Sequence, residues 1–147
     1  MSLTMTCGRW RRKDFNASAA DGTAVTSADV KWSWERLGGL TGANALSLLN
    51  DSLAPLTVTL GNNNTTSSYS GVLSGAGASV LKTGTGTLTL TGASTFTGPV
   101  EIRAGAVSVN SLANVNAASS ALGAPTTVAD GTIKLGSGAT AATLTYT

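Results

Sequence analysis

Few side chains in this 147-residue chain could do chemistry. There is no histidine, and the single cysteine, Cys7, lies in a charged N-terminal stretch with no metal-ligand spacing around it. The usual nucleophile–base pairs are therefore missing, and one cysteine cannot close an internal disulfide. A pair of carboxylates is the remaining route to catalysis, as in β-helical polysaccharide-active enzymes, often with Ca²⁺ or a basic residue beside them. Past Asp51 the only carboxylates are Glu101 and Asp130. Glu101 and Arg103, two apart on one strand face, read as an exposed ion pair of little energetic weight. No catalytic, cofactor-binding or metal-binding residue is assigned, no cofactor is expected, and the chain is read as a non-enzyme.

Binding features are equally sparse. Gly84-Thr85-Gly86 is no phosphate loop, because the lysine, Lys82, precedes it and no helix pattern follows. Asn62, Asn63 and Asn64 could offer amides to a sugar, yet asparagines in such a run more often occupy left-handed turn positions or stack as a ladder. Trp10, Trp32 and Trp34 could stack on a carbohydrate, or cap the end of a repeat structure. A net charge of +2 does not imply nucleic acid, and the basic run Arg9-Trp10-Arg11-Arg12-Lys13 reads as a solvated tail.

The elements that must position these residues divide the chain in two. Eleven of the sixteen charged residues lie in residues 1–51. The rest of the chain is Thr, Ser, Gly, Ala and Asn wrapped around regularly spaced aliphatics, too apolar for disorder. Residues 1–39 read as a charged N-terminal segment, partly irregular, with one short helix. Thr26 would be its N-cap with Asp29 three residues on, Gly38-Gly39 would stop it, and Val30, Trp34 and Leu37 would share one face. A strand through Val30, Trp32 and Trp34 is the alternative.

Residues 40–147 read as a repeat region of strands and turns. The expected strands are Leu46–Leu49, Leu56–Leu60, Tyr69–Leu73, Ser79–Leu81, Thr87–Thr91, Thr95–Thr97, Val100–Arg103, Ala106–Val109, Thr126–Val128, Thr132–Leu135 and Ala142–Tyr146. Apolar/polar alternation points Leu88 and Leu90 inward, with Val100/Ile102, Val107/Val109, Ile133/Leu135 and Leu144/Tyr146 repeating the pairing. Leu88 to Val107 is 19 residues and Val107 to Ile133 is 26, the spacing of a solenoid coil. An antiparallel sandwich competes, but the turns are long for tight hairpins, and the outward Thr, Ser and Asn would form ladders in stacked coils. The expected fold is all-β: a right-handed parallel β-helix of about four coils.

Lys82-Thr-Gly-Thr-Gly-Thr-Leu-Thr-Leu-Thr-Gly92, Ala93-Ser-Thr-Phe-Thr-Gly98 and Val100-Glu-Ile-Arg-Ala-Gly-Ala-Val-Ser-Val109 resemble the body of the autotransporter-associated β-strand repeat, the passenger-associated transport repeat. Gly61 to Gly77 resembles its lead-in, and Ser120–Gly123, Gly131–Gly136 and Thr143–Thr147 are similar to the coil that follows. The resemblance covers residues 37–147, with Pro99 and Ala106 standing where the family has Gly-Thr and Thr-Leu. It implies a structural stalk or passenger segment of a bacterial surface or secreted protein, located at the outer membrane or outside the cell and carried by a membrane barrel that this chain lacks. Its implied partners are neighbouring β-helix coils of a larger parent chain. An adhesin module binding glycan or a host surface ligand is the alternative, and self-association through an open C-terminal edge is expected. No signal peptide is visible, so the export signal is expected outside this sequence, as for a fragment or truncated frame. A second stretch, Asp21 to Leu37, is similar to a segment of oligopeptide-type solute-binding proteins but spans 17 residues only.

Overall fold

The computed structural model describes residues 15–17 and 36–147. Among these residues there are strands and no helix. The expected helix lies outside the described residues except at its end, and there it is corrected. Gly38 and Gly39 do not stop a helix but lie inside a strand, β2 (Arg36–Leu40). The cause is tertiary: β2 has a parallel neighbour on each side, β1 (Phe15–Ala17) and β4 (Thr57–Leu60), and ladder bonds outweigh a local cap signal.

The remaining strands are β3 (Leu46–Ser47), β5 (Ser67–Tyr69), β6 (Leu73–Ser74), β7 (Ser79–Lys82), β8 (Thr87–Leu90), β9 (Val100–Ile102), β10 (Gly105–Val109), β11 (Ile133–Leu135) and β12 (Ala142–Tyr146). They form three sheets. The first runs β1-β2-β4-β7-β9-β11, the second β5-β8-β10-β12, and the third pairs β3 with β6. Every pairing between these strands is parallel, which excludes the antiparallel sandwich. Along the chain the sheets are visited in turn. Thr57 pairs with Ser79 and Val80 with Val100 in the first; Ser67 pairs with Leu88 and Leu88 with Val107 in the second. As far as β10 each pass takes about 20 residues, and a longer one leads to β11 and β12; every pass returns to lie beside the one before.

Alternation along each strand sorts side chains into columns. Leu60, Lys82, Ile102 and Leu135 share one inward column of the first sheet. Tyr69, Leu90, Val109 and Tyr146 share one of the second, beside Ser67, Leu88, Val107 and Leu144. The aliphatics between two passes are sealed, with Leu88, Leu90, Ile102, Val107 and Val109 all buried. In the last pass the alternation is as expected but the burial is not: Leu135 is 54% and Tyr146 66% exposed. Among the described residues β11 and β12 have a strand on one side only, and none of these residues adds a layer over their apolar columns.

Four expectations change. Tyr69–Leu73 is not one strand, because Tyr69 ends β5 and Leu73 begins β6 in a different sheet. Ile133 stacks on Val100 in the first sheet, whereas Val107 is followed by Leu144 in the second; two strands of similar pattern cannot be assigned to sheets by spacing alone. Thr95–Thr97 is not a strand. It continues the third side through bonds from the Thr95 and Phe96 amides to the Leu73 carbonyl and from Thr97 to Gly75, with Phe96 fully buried. Thr126–Val128 is a turn, with Val128 exposed. The Thr127 hydroxyl donates to Asp130 Oδ2 (2.7 Å) and accepts the Asp130 amide (3.2 Å), a local arrangement that competes with strand pairing.

Candidate functional site

The corner between the first two sheets is tightly packed, and its glycines show why. Gly61, Gly84 and Gly105 stack one above another, all at positive φ (91°, 67° and 70°). A Cβ on Gly84 would lie 2.0 Å from the Gly61 carbonyl oxygen, and one on Gly105 2.5 Å from the Gly84 oxygen. The backbones of successive passes touch here, leaving no room for a side chain. At the next corner a Cβ on Gly92 would lie 2.0 Å from the Gly71 oxygen. Gly84 and Gly86, excluded above as a phosphate loop, are packing residues.

Inside the same corner lies Lys82, 1% exposed. Its ammonium donates to the Thr83 carbonyl (2.6 Å) and the Gly84 carbonyl (2.9 Å), and reaches the Ala104 carbonyl of the next pass at 3.4 Å. Three N–H donors meet three carbonyls, and burial holds the amine below its ordinary pKa. The sequence assigns Lys82 no role beyond preceding Gly84-Thr85-Gly86. The available signal was parity, since Lys82 falls two residues after Val80 and therefore on the same inward face.

The other candidates do not converge. Arg103 Nε donates to Glu101 Oε1 at 2.8 Å and Nη2 to Oε2 at 3.4 Å, and Arg103 draws the Glu101 carboxyl below its usual range. The pair is exposed, and the neighbours of Glu101 across the sheet are Leu81 and Lys134, neither a second carboxylate. Asp130 is held in its own turn by Thr127. Asn63 Oδ1 accepts the Thr65 amide (3.1 Å), and Asn64, at φ 62°, accepts the Thr85 amide of the next pass (3.1 Å) through Oδ1. These two asparagines shape turns and bridge passes.

Cys7, the basic run from Arg9 to Lys13, and Trp10, Trp32 and Trp34 lie outside the described residues. Among the described residues no three His, Cys, Asp or Glu side chains group closely enough to hold a metal ion. The space between Val100, Leu112, Leu122, Pro125 and Ile133 measures about 30 Å³, water-sized against the roughly 300–1,000 Å³ of a small-molecule pocket.

No match to the chain is found among curated proteins or among solved structures. A family match is found in the two passes that Lys82 bridges. From Val80 in β7 to Val109 at the end of β10, residues 80–109 match the passenger-associated-transport-repeat, so the resemblance read in Lys82–Gly92 and Val100–Val109 holds over this segment.

Proposed function

We propose that the chain is a structural stalk segment of a bacterial autotransporter-like passenger, folded as a right-handed parallel β-helix and working outside the cell or on its surface. Right-handedness follows the general rule for parallel crossovers. One observation carries the reading: each pass lies parallel and in register on the preceding one, with an aliphatic column and a glycine column continuing through both. A chain with this arrangement can fold layer by layer, each docked pass serving as template for the next. A passenger emerging from a membrane barrel needs that property, because it folds as it appears. The work is mechanical, with no substrate and no cofactor, and the partners are adjoining coils and the barrel that carries them.

The test is display. The chain is fused between an export signal and an autotransporter barrel, and surface exposure and protease resistance are read on intact cells. The expected result is a surface-exposed, protease-resistant segment that becomes sensitive in Leu88→Asp. A displayed segment equally sensitive with and without Leu88→Asp would contradict it.

The adhesin alternative has one observation in its favour. Ser68, Thr89, Ser108 and Thr145 line up across the outward face of the second sheet, a hydroxyl ladder without charge that a glycan could contact. Binding of the purified chain to a glycan array, lost in Thr89→Asp, would favour that reading over the stalk.

A further inference from the structure

We infer that Lys82 is a register pin: its ammonium ties the corner of its own pass to the Ala104 carbonyl of the next, so that the two passes dock in one alignment only.

The need for a pin lies in the sequence. β8 is Thr-Leu-Thr-Leu and its neighbour β10 carries Ala-Val-Ser-Val over the paired residues Ala106–Val109. A slip of two residues leaves aliphatic over aliphatic and small outward residue over small outward residue. Alternation excludes a slip of one, which would turn every side chain to the other face, but a slip of two keeps each on its own face. Hydrophobic burial alone therefore distinguishes the correct alignment poorly from its neighbours.

Lys82 breaks the degeneracy. It stands between Leu60 and Ile102 in a column that also holds Leu37 and Leu135, all four aliphatic. Its amine is sealed from water and bonded by carbonyls from two passes. A slip of two residues moves Ala104 by about 6.6 Å, two strand residues, well beyond hydrogen-bond reach. The ammonium would then be buried with one acceptor missing, a costly state for a charged group. On the other side it is close-packed, since a Cβ on Gly61 would come within 2.9 Å of Nζ. The glycine column opposes the same slip, because it would bring Arg103 or Val107 to the place of Gly105, where a Cβ has no room; Lys82 adds what the glycines lack, a donor for the corner's inward carbonyls. A single buried polar group that fixes alignment, rather than adding stability, is well attested in coiled coils.

Cysteine cross-linking tests this in a Cys7→Ser background of the full chain. Thr89→Cys with Ser108→Cys reports the correct register, because those residues are paired. Thr89→Cys with Ala106→Cys, or with Asn110→Cys, reports slips of two in either direction. With Lys82 present, the first pair should close under mild oxidation and the slipped pairs should not. In Lys82→Met the chain should still fold, and the slipped cross-links should rise by roughly tenfold relative to the correct one, the scale of losing one charge-assisted hydrogen bond. A folded Lys82→Met chain that cross-links only in the correct register would overturn the proposal. Lys82→Leu, which places the Leu60 residue type in this column, is the second variant. If neither variant folded, the amine would serve stability instead of register, and the proposal would equally be overturned.

Discussion

At the scale of single residues, the packing between passes is set by backbone contact, and glycine is the residue that permits it. Gly84 and Gly138 make a controlled comparison. Both have positive φ (67° and 62°), but a Cβ on Gly84 meets the Gly61 carbonyl at 2.0 Å whereas one on Gly138 meets nothing within 4 Å. Gly138→Ala should cost only the left-handed backbone penalty, about 1–2 kcal/mol. Gly84→Ala adds a backbone clash that no rotamer relieves, and should cost clearly more, roughly 3 kcal/mol or above. Urea titrations of the two variants check this; equal losses would mean that the passes are not in contact at that corner. Gly84 and Gly86 were legible in the sequence as turn glycines, but their contact partners were not, because Gly61 and Thr65 lie a full pass earlier. The burial of Lys82 was not legible for a related reason: one of its acceptors, the Ala104 carbonyl, lies a full pass later.

At the scale of strands, the period-two reading sorts the faces correctly wherever both neighbours are present. Leu88 and Leu90 are buried and Thr89 points outward between Ser68 and Ser108. Leu88→Asp would bury an unpaired carboxylate between two passes and should be severely destabilising. Thr89→Asp, one residue away, should change stability by about 1 kcal/mol or less. Thermal melts of the pair decide between them, and equal shifts would show the strand to be turned the other way. The same alternation misled at Thr126–Val128, where the Thr127–Asp130 bonds close a turn. It also could not assign Ile133 to a sheet, because the excursion between β10 and β11 lengthens that pass and no spacing rule reveals by how much. Nor could cap residues around Gly38-Gly39 compete with a strand that has neighbours on both sides. Local patterns were therefore reliable for facing and poor for pairing.

At the scale of the whole molecule, stability is held layer by layer, and the layers are not equivalent. β12 presents Tyr146 and, among the described residues, a backbone edge with no strand beside it, a template for another strand. The isolated chain should therefore self-associate: sedimentation analysis should show mass rising with concentration, and Tyr146→Lys should suppress the rise. A monomer at all concentrations would mean that this edge is covered. The central claim is that each pass is secured by the passes beside it, and native-state hydrogen exchange tests it most directly. Amides of β8, which has a strand on each side, should exchange slowest, and amides of β12 at least roughly tenfold faster, because the outermost layer opens without unfolding the rest. Equal protection in β8 and β12, or rapid exchange throughout β8, would contradict the stacked, layer-by-layer account.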